Sequence, residues 1–366
     1  MTRLQEIAGA LVEASLDGWL FYDFRRSDPL AYRVLGLSSE GITTRRWFCY
    51  VPAAGAPHAL TSAVEAGRLS DLGVETTVYR SADEMIAALR TMLAVARRVA
   101  MDYSPQCAIP YVARVDAGTV ELVRSLGVEV VSAADLIQRF EALLTPAQLE
   151  GHRRAAALVR RVVDETFAEI ARRLRSGEPV SEYSAQQYVL GRFEARGLVV
   201  GDAPIVAVNA NAAMPHFGPS AQNDTPIRRG DLVLLDLWAK ESAADSIYAD
   251  LTWMAYAGEC VPEEYARVFA IVAEARDAAV DFVSERVAAG APVRGEEADR
   301  IARGVIERAG FGPHFLHRTG HSIGREVHGT GANLDSLETH DHRALIDRTC
   351  FSVEPGIYLP GRFGVR

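Results

Sequence analysis

The sequence predicts an α+β protein in two parts: an N-terminal α/β domain over residues 1–144, then an internally duplicated α+β domain over residues 145–366. Three observations carry this prediction. Helix and strand patterns alternate through roughly the first 140 residues. Thr145-Pro146 then marks a new helix start, a cap residue followed by proline at the first helical position. Beyond it a turn-and-helix pattern occurs twice, at an offset of 113 residues (Gly177 to Gly290).

Taken in order, an amphipathic helix is expected near residues 3–15, an apolar strand at GWLFYDF and another at RRWFCYVP. A helix follows near 82–97, and VARRVAMDY runs into a further strand. The stretch LGVEVVSAADLIQRFEALL leads to the cap at Thr145. The long helix that opens there carries Leu158, Val162, Val163, Phe167, Ile170 and Leu174 as its apolar positions. Gly177-Glu178-Pro179-Val180 precedes Gly197 by twenty residues (177 to 197), and Gly290-Ala291-Pro292-Val293 precedes Gly310 by the same interval (290 to 310). Each pair brackets a helical stretch ending on glycine. Pro-His216 follows the first unit and Val-His328 the second, so the site is expected between two halves.

Composition narrows the function. With 366 residues, half of them apolar, the chain can bury two cores. Its formal net charge is −9 with both signs interspersed, and the arginines from Arg153 to Arg175 alternate with apolar residues at helical spacing, so nucleic acid is not an expected partner. Glu6 and Glu13 interrupt the N-terminus, which does not read as a signal peptide, and no stretch is long enough to span a membrane. Cys49, Cys107, Cys260 and Cys350 lie too far apart for a disulfide framework or a thiolate metal site. A cytoplasmic protein is expected.

Four segments carry the chemistry. Asp236 sits inside the apolar run LVLLDLWA, and Asp250 inside the strand-like SIYADLTWMAY. A buried carboxylate needs a cation or dense hydrogen bonding. Singly, either aspartate could end a strand or face solvent; together, on consecutive strands joined by AKESAADS, they form a candidate pair of metal ligands. The third segment, HRTGHSIGREVH, places His317, His321 and His328 within twelve residues, from nine histidines in the chain. Imidazole serves as ligand and as proton carrier, while Gly320 and Gly324 exclude a helical two-histidine site. The plainer alternative is a set of satisfied core or surface histidines. The fourth segment, FSVEPGIY, holds Glu354 inside a strand-like stretch and completes an Asp, Asp, His, Glu set suited to divalent cations such as Mn²⁺, Co²⁺ or Zn²⁺.

In this order the four segments resemble the pita-bread metallopeptidases: prolidase, aminopeptidase P and methionine aminopeptidase, with creatinase as a metal-free relative. The resemblance covers residues 145–366, and residues 1–140 are similar to the creatinase-type domain that precedes the pita-bread domain in prolidase, aminopeptidase P and creatinase. It implies metal-ligand roles for Asp236, Asp250, His321 and Glu354 toward two divalent ions. It implies substrate-binding and carbonyl-stabilising roles for His216 in MPHFGPS, His317 and His328, a proton-shuttling role for Glu354, and a substrate-orienting role for Arg366 in FGVR. The implied reaction is hydrolysis of the bond before proline by a metal-bridging hydroxide, as in a Xaa-Pro dipeptidase or aminopeptidase P acting on proline-containing peptides. A homodimer is implied as well, with Tyr22, Asp23 and Arg25 as residues that could reach a partner's site.

The resemblance has departures. The family's fifth ligand, a glutamate, lies two residues beyond the arginine matched by Arg366, the last residue here, so either the natural chain continues or one metal position is weakened. The Asp236–Asp250 interval is three residues longer than the family's usual interval, which lengthens the hairpin loop without requiring the ligands to move, and Gly329-Thr330 follows His328 where many members carry an acid. A creatinase-like C–N hydrolase would not need Asp236, Asp250 and Glu354, and a non-catalytic binding module tends to lose them. His340 and His342 are expected in a solvated loop, and Trp19, Trp47, Trp238 and Trp253 in packing roles.

Overall fold

Strand β1 (Gly18–Asp23) is buried along its whole length because it runs through the middle of a sheet covered on both faces. The computed structural model describes residues 2–38 and 40–366. Around β1, after helix α1 (Arg3–Glu13), come α2 (Pro29–Leu35), β2 (Trp47–Pro52), β3 (His58–Ser62), β4 (Glu75–Tyr79), α3 (Ala82–Met92), β5 (Arg98–Met101), α4 (Ala117–Ser125), β6 (Glu129–Ser132) and the short α5 (Ala134–Ile137). The six strands lie in the order β4-β3-β2-β1-β5-β6, antiparallel for β1–β2 and β2–β3 and parallel elsewhere. Strand alternation divides the core in two. Trp19, Phe21, Trp47 and Cys49 pack with Ile7 and Leu11 on one face. Leu20, Tyr22, Phe48 and Tyr50 pack with Met85 and Leu89 on the other.

Both N-terminal helices stop earlier than their apolar patterns suggest. Helix α1 ends at Glu13, with Ser15 in a left-handed conformation. Helix α3 ends at Met92 rather than near 97, because Arg97 and Arg98 give their backbone N–H groups to the Asp17 carboxylate at 2.7 and 2.8 Å and enter β5.

The chain divides into two compact units, 1–141 and 142–366, three residues before the boundary expected at 144. The second unit opens with α6 (Pro146–Ser176), where Thr145 and Gln148 exchange side-chain and backbone hydrogen bonds in a capping box. There follow α7 (Glu182–Glu194), β7 (Leu198–Val199), β8 (Ile205–Val208), β9 (Leu232–Glu241), β10 (Ala249–Tyr256), α8 (Glu263–Ala288) and α9 (Gly295–Arg308), then β11 (Ser322–Ile323), β12 (Cys350–Phe351), β13 (Ile357–Leu359) and β14 (Phe363–Val365). The repeat is visible in this order: a long helix precedes a short one twice, and α7 and α9 start 113 residues apart (182 to 295). The four glycines that mark it, Gly177, Gly197, Gly290 and Gly310, all have φ between 64° and 86°, a region that favours glycine at helix ends.

Strand β9 pairs antiparallel with β7, β8 and β10. The expected strand through FSVEPGIY is broken: β12 ends at Phe351 and β13 begins at Ile357, leaving Glu354 on an extended link. This link is held by the histidine segment instead of a ladder, with the Ser352 N–H on the His321 carbonyl and the Glu354 N–H on the Thr319 carbonyl. Pro355 has no N–H to continue it. No helix among the described residues is long and apolar enough to cross a membrane.

Candidate metal centre

The register of β9 and β10 brings the two aspartates together. Asp236 pairs with Thr252 and Trp238 with Asp250, so both carboxylates project from one face of the hairpin. The opposite face of β9 carries Val233, Leu235 and Leu237 into the core beneath α6 and α7. Glu354 reaches the hairpin from the link after β12, and His321 from the residue before β11.

Three of the four expected ligands converge. The Asp250, His321 and Glu354 donor atoms lie within 4.8 Å of one another. His321 Nε2 is 3.2 Å from Asp250 Oδ2 and 3.2 Å from Glu354 Oε1. Its Nδ1 lies 3.1 Å from the Ser322 carbonyl, which can only accept, so Nδ1 carries a proton and Nε2 is turned to the two acids. Ser352 fixes the glutamate, with its hydroxyl donating to Glu354 Oε1 at 2.9 Å and accepting the His321 N–H at 3.0 Å. Asp236 stands beside this trio and is held by other groups: Oδ1 accepts from the Thr252 hydroxyl at 2.8 Å, and Oδ2 from the Arg366 guanidinium.

The donor set is built for cations. Burial pushes the Asp236 carboxyl up to about 6 against the pull of Arg366, and burial raises Asp250 as well. Burial opposes charge on His321, but its two carboxylate partners outweigh it and lift the imidazole to about 10. Burial also opposes ionisation of Glu354, yet His321 and Arg366 hold it far below the usual carboxylate range. Two carboxylates and an imidazole facing one point, with a third carboxylate beside them and so much negative charge out of water, fit divalent ions that prefer mixed O/N ligands and would take the place of the His321 Nε2 proton.

Beside these residues a cavity of about 990 Å³ is lined by the histidines and by apolar side chains including Ile205, Phe217, Trp238 and Val327. His216 is exposed at this cavity on the segment after β8. His328 meets the His321 ring edge-on at 4.4 Å between centroids, and burial together with the charge of His321 lowers its basicity. His317 is placed differently from an open donor. Its Nδ1 faces the Arg318 carbonyl at 2.6 Å, so Nε2 accepts from the Tyr358 hydroxyl at 2.7 Å. Arg366, expected to orient substrate, is turned to Asp236, Thr252 and Glu354.

Several site residues escaped the sequence reading. Thr252 had a usable signal, since it lies two positions from Asp250 on a strand and so shares its face. Tyr358, Ser352 and Arg318 had none. His340 and His342 are exposed, His342 against Glu296 at 3.0 Å. Trp19 and Trp47 are fully buried, whereas Trp253 departs from its packing role: it is 43 % exposed, with the Arg160 guanidinium 4.1 Å over its ring.

Fold and site together define a metallopeptidase. Residues 150–366 match the model of metallopeptidase family M24, and the chain belongs to that family. Among curated relatives, it is 35 % identical over 162 residues to the Xaa-Pro dipeptidase of Lactobacillus helveticus, a match spanning 44 % of this chain and 39 % of that enzyme. It is 27 % identical to the probable dipeptidase PepE of Mycobacterium tuberculosis over 100 % of this chain and 89 % of the relative. The crystal structure of dipeptidase PepE from Mycobacterium ulcerans superposes with a TM-score of 0.70 at 26 % identity, covering 99 % of this chain and 90 % of that one.

Proposed function

We propose that this chain is a Xaa-Pro peptidase that hydrolyses the bond before proline in dipeptides or short peptides, with two divalent metal ions (Mn²⁺, Co²⁺ or Zn²⁺) held by Asp236, Asp250, His321 and Glu354. The observation that carries this reading is the convergence of Asp250 Oδ2 and Glu354 Oε1 on His321 Nε2 at 3.2 Å each, at the wall of an open cavity. Relatives named as Xaa-Pro dipeptidases support the substrate class. When bound, the ions supply Lewis acidity toward a water and the scissile carbonyl.

The remaining work falls to side chains of this protein. Glu354, with one oxygen on Ser352 and His321, takes the proton of the attacking water and returns it to the leaving nitrogen. His328 and His216, both at the cavity, donate hydrogen bonds to the carbonyl oxygen as charge develops on it. His317 acts through Tyr358, whose hydroxyl it accepts, and Arg366 neutralises Asp236. A prolyl amide has no N–H to satisfy, and the apolar wall of Ile205, Phe217, Trp238 and Val327 suits its ring. Metal-requiring acids at Asp236, Asp250 and Glu354 favour this reading over a creatinase-like hydrolase or a non-catalytic module. A cytoplasmic homodimer is part of the same proposal, checked by sedimentation.

The test is hydrolysis of Xaa-Pro and Xaa-Pro-Yaa peptides by the full-length protein loaded with Mn²⁺, Co²⁺ or Zn²⁺. Activity is expected, and Asp250→Asn should reduce it by at least about a hundredfold, because a neutral amide then stands where an anionic metal ligand is needed. No cleavage of either substrate set by metal-loaded protein sinks the reading.

A further inference from the structure

The metal-facing histidine does not hold its own position. His321 precedes the two-residue strand β11, and the segment leading to it, from Phe315 to Gly320, contains only bends and one isolated bridge, from Gly320 to Leu334. Such a segment has few backbone bonds of its own to fix a ligand within a few tenths of an ångström. Helix α9 supplies what is missing. Asp299, fully buried, accepts the Thr319 N–H at 2.8 Å and the Thr319 hydroxyl at 2.6 Å on one oxygen. Its other oxygen accepts the Ser336 N–H at 2.9 Å and the Ser336 hydroxyl.

One turn along the helix, Arg303 lies 3.3 Å from Asp299 and donates to the carbonyls of Phe315 at 3.1 Å and His317 at 2.8 Å. Thr319 is then gripped from its other side, because its carbonyl accepts the Glu354 N–H at 2.7 Å. A single buried threonine therefore links the helix, the histidine segment and the link that carries Glu354. A buried acid with four donors and an arginine neighbour is more than a core of this kind needs for packing, and its two bonds to Thr319, with the Arg303 bonds to Phe315 and His317, hold the segment that bears His321.

We propose that Asp299 and Thr319, with Arg303, are positioning residues that set the separation of His321 and Glu354 and thereby the affinity and geometry of the metal centre. The proposal rests on the metal-centre reading above, but it concerns this chain's own residues and needs no substrate for its test. Loss of an outer-sphere bond of this kind ordinarily weakens metal binding about 10–100-fold.

The experiment uses full-length protein and Co²⁺ alone, with affinity measured by chelator competition and ligand geometry by the visible absorption of the bound ion. Thr319→Val keeps shape and backbone but removes the hydroxyl bond to Asp299; Thr319→Ser restores it. We expect Thr319→Val to bind Co²⁺ at least tenfold more weakly with an altered spectrum, and Thr319→Ser to stay within threefold of wild type with an unchanged spectrum. If Thr319→Val does not fold, Asp299→Asn, which keeps one acceptor oxygen but loses the charge beside Arg303, carries the same expectation. Wild-type affinity and spectrum in the folded variant overturn the proposal, as does a Thr319→Ser defect equal to that of Thr319→Val. Failure of the wild type itself to bind Co²⁺ overturns the metal centre and this proposal with it.

Discussion

Asp28 and Asp102 in the N-terminal unit show how a single side chain can set a pH response. Asp28 caps α2 through Oδ1, which accepts the N–H groups of Leu30 and Ala31 at 3.0 and 3.1 Å, while Asp102 Oδ1 accepts the Trp19 indole N–H at 2.8 Å. The second oxygen of each is buried with no donor other than the neighbouring carboxyl, with which it can share a proton. Burial pushes Asp102 up to about 6, and burial and then Asp102 raise Asp28 well above the ordinary value. A carboxyl whose folded pKa exceeds its unfolded value of 3.8 stabilises the fold below that value, and the contribution is lost as pH rises through about 6. Asp28→Asn keeps the cap and removes one charge. It should therefore stabilise the protein by about 1–2 kcal/mol at pH 7 and by much less at pH 4. Equal denaturation midpoints at pH 7 would contradict this.

At the scale of elements, the site depends on two segments that approach too closely for ordinary side chains. A Cβ on Gly320 would lie 1.9 Å from the Ser352 carbonyl oxygen, which is backbone and cannot rotate away. Glycine there lets the His321 and Glu354 segments exchange the bonds that stand in for a β-ladder. Gly320→Ala should cost about 2–3 kcal/mol, typical of overpacking against a fixed neighbour, and should abolish tight Co²⁺ binding even where the protein stays folded. Urea denaturation and equilibrium dialysis check the two effects separately. The arginines Arg25 and Arg26 give an opposite case. Both are exposed with φ near 60°, held by the Asp23 carboxylate on the Arg26 N–H, and nothing in the structure explains why they are not glycine.

Across the whole molecule, the candidate ligands come from the β9–β10 hairpin, the residue before β11 and the link after β12, three places well separated in the chain. On the proposed function, metal binding would add a further tie between parts of the second unit that come together only in the folded chain. A ligand held only by the folded state stabilises it by about 2.7 kcal/mol at a hundred times its dissociation constant. Amide exchange should slow on adding Mn²⁺ at Asp236–Trp238, Asp250–Thr252, Thr319–Ser322 and Ser352–Glu354, with the sheet of β1 to β6 as an internal reference. Protection spread evenly over both units would count against a centre at these residues.

What the sequence by itself determined was local or repeating. Thr145 and Gln148 form their capping box three residues apart, the strand alternation at Trp19–Tyr22 divides the N-terminal core, and the glycines at 177, 197, 290 and 310 mark the duplicated helix ends. The acids and histidines of the site stood out because buried charge is rare. Only the tertiary structure decided how they share their work. It turned His321 Nε2 rather than Nδ1 to the acids, spent His317 on Tyr358, drew Arg366 onto Asp236 and broke the strand at Glu354. It also recruited Asp299, an unremarked residue in a helix, to hold Thr319. Caps and periodicities are written within a few residues of one another, whereas hydrogen-bond partners and ligand distances arise from segments that meet only when the whole unit has packed.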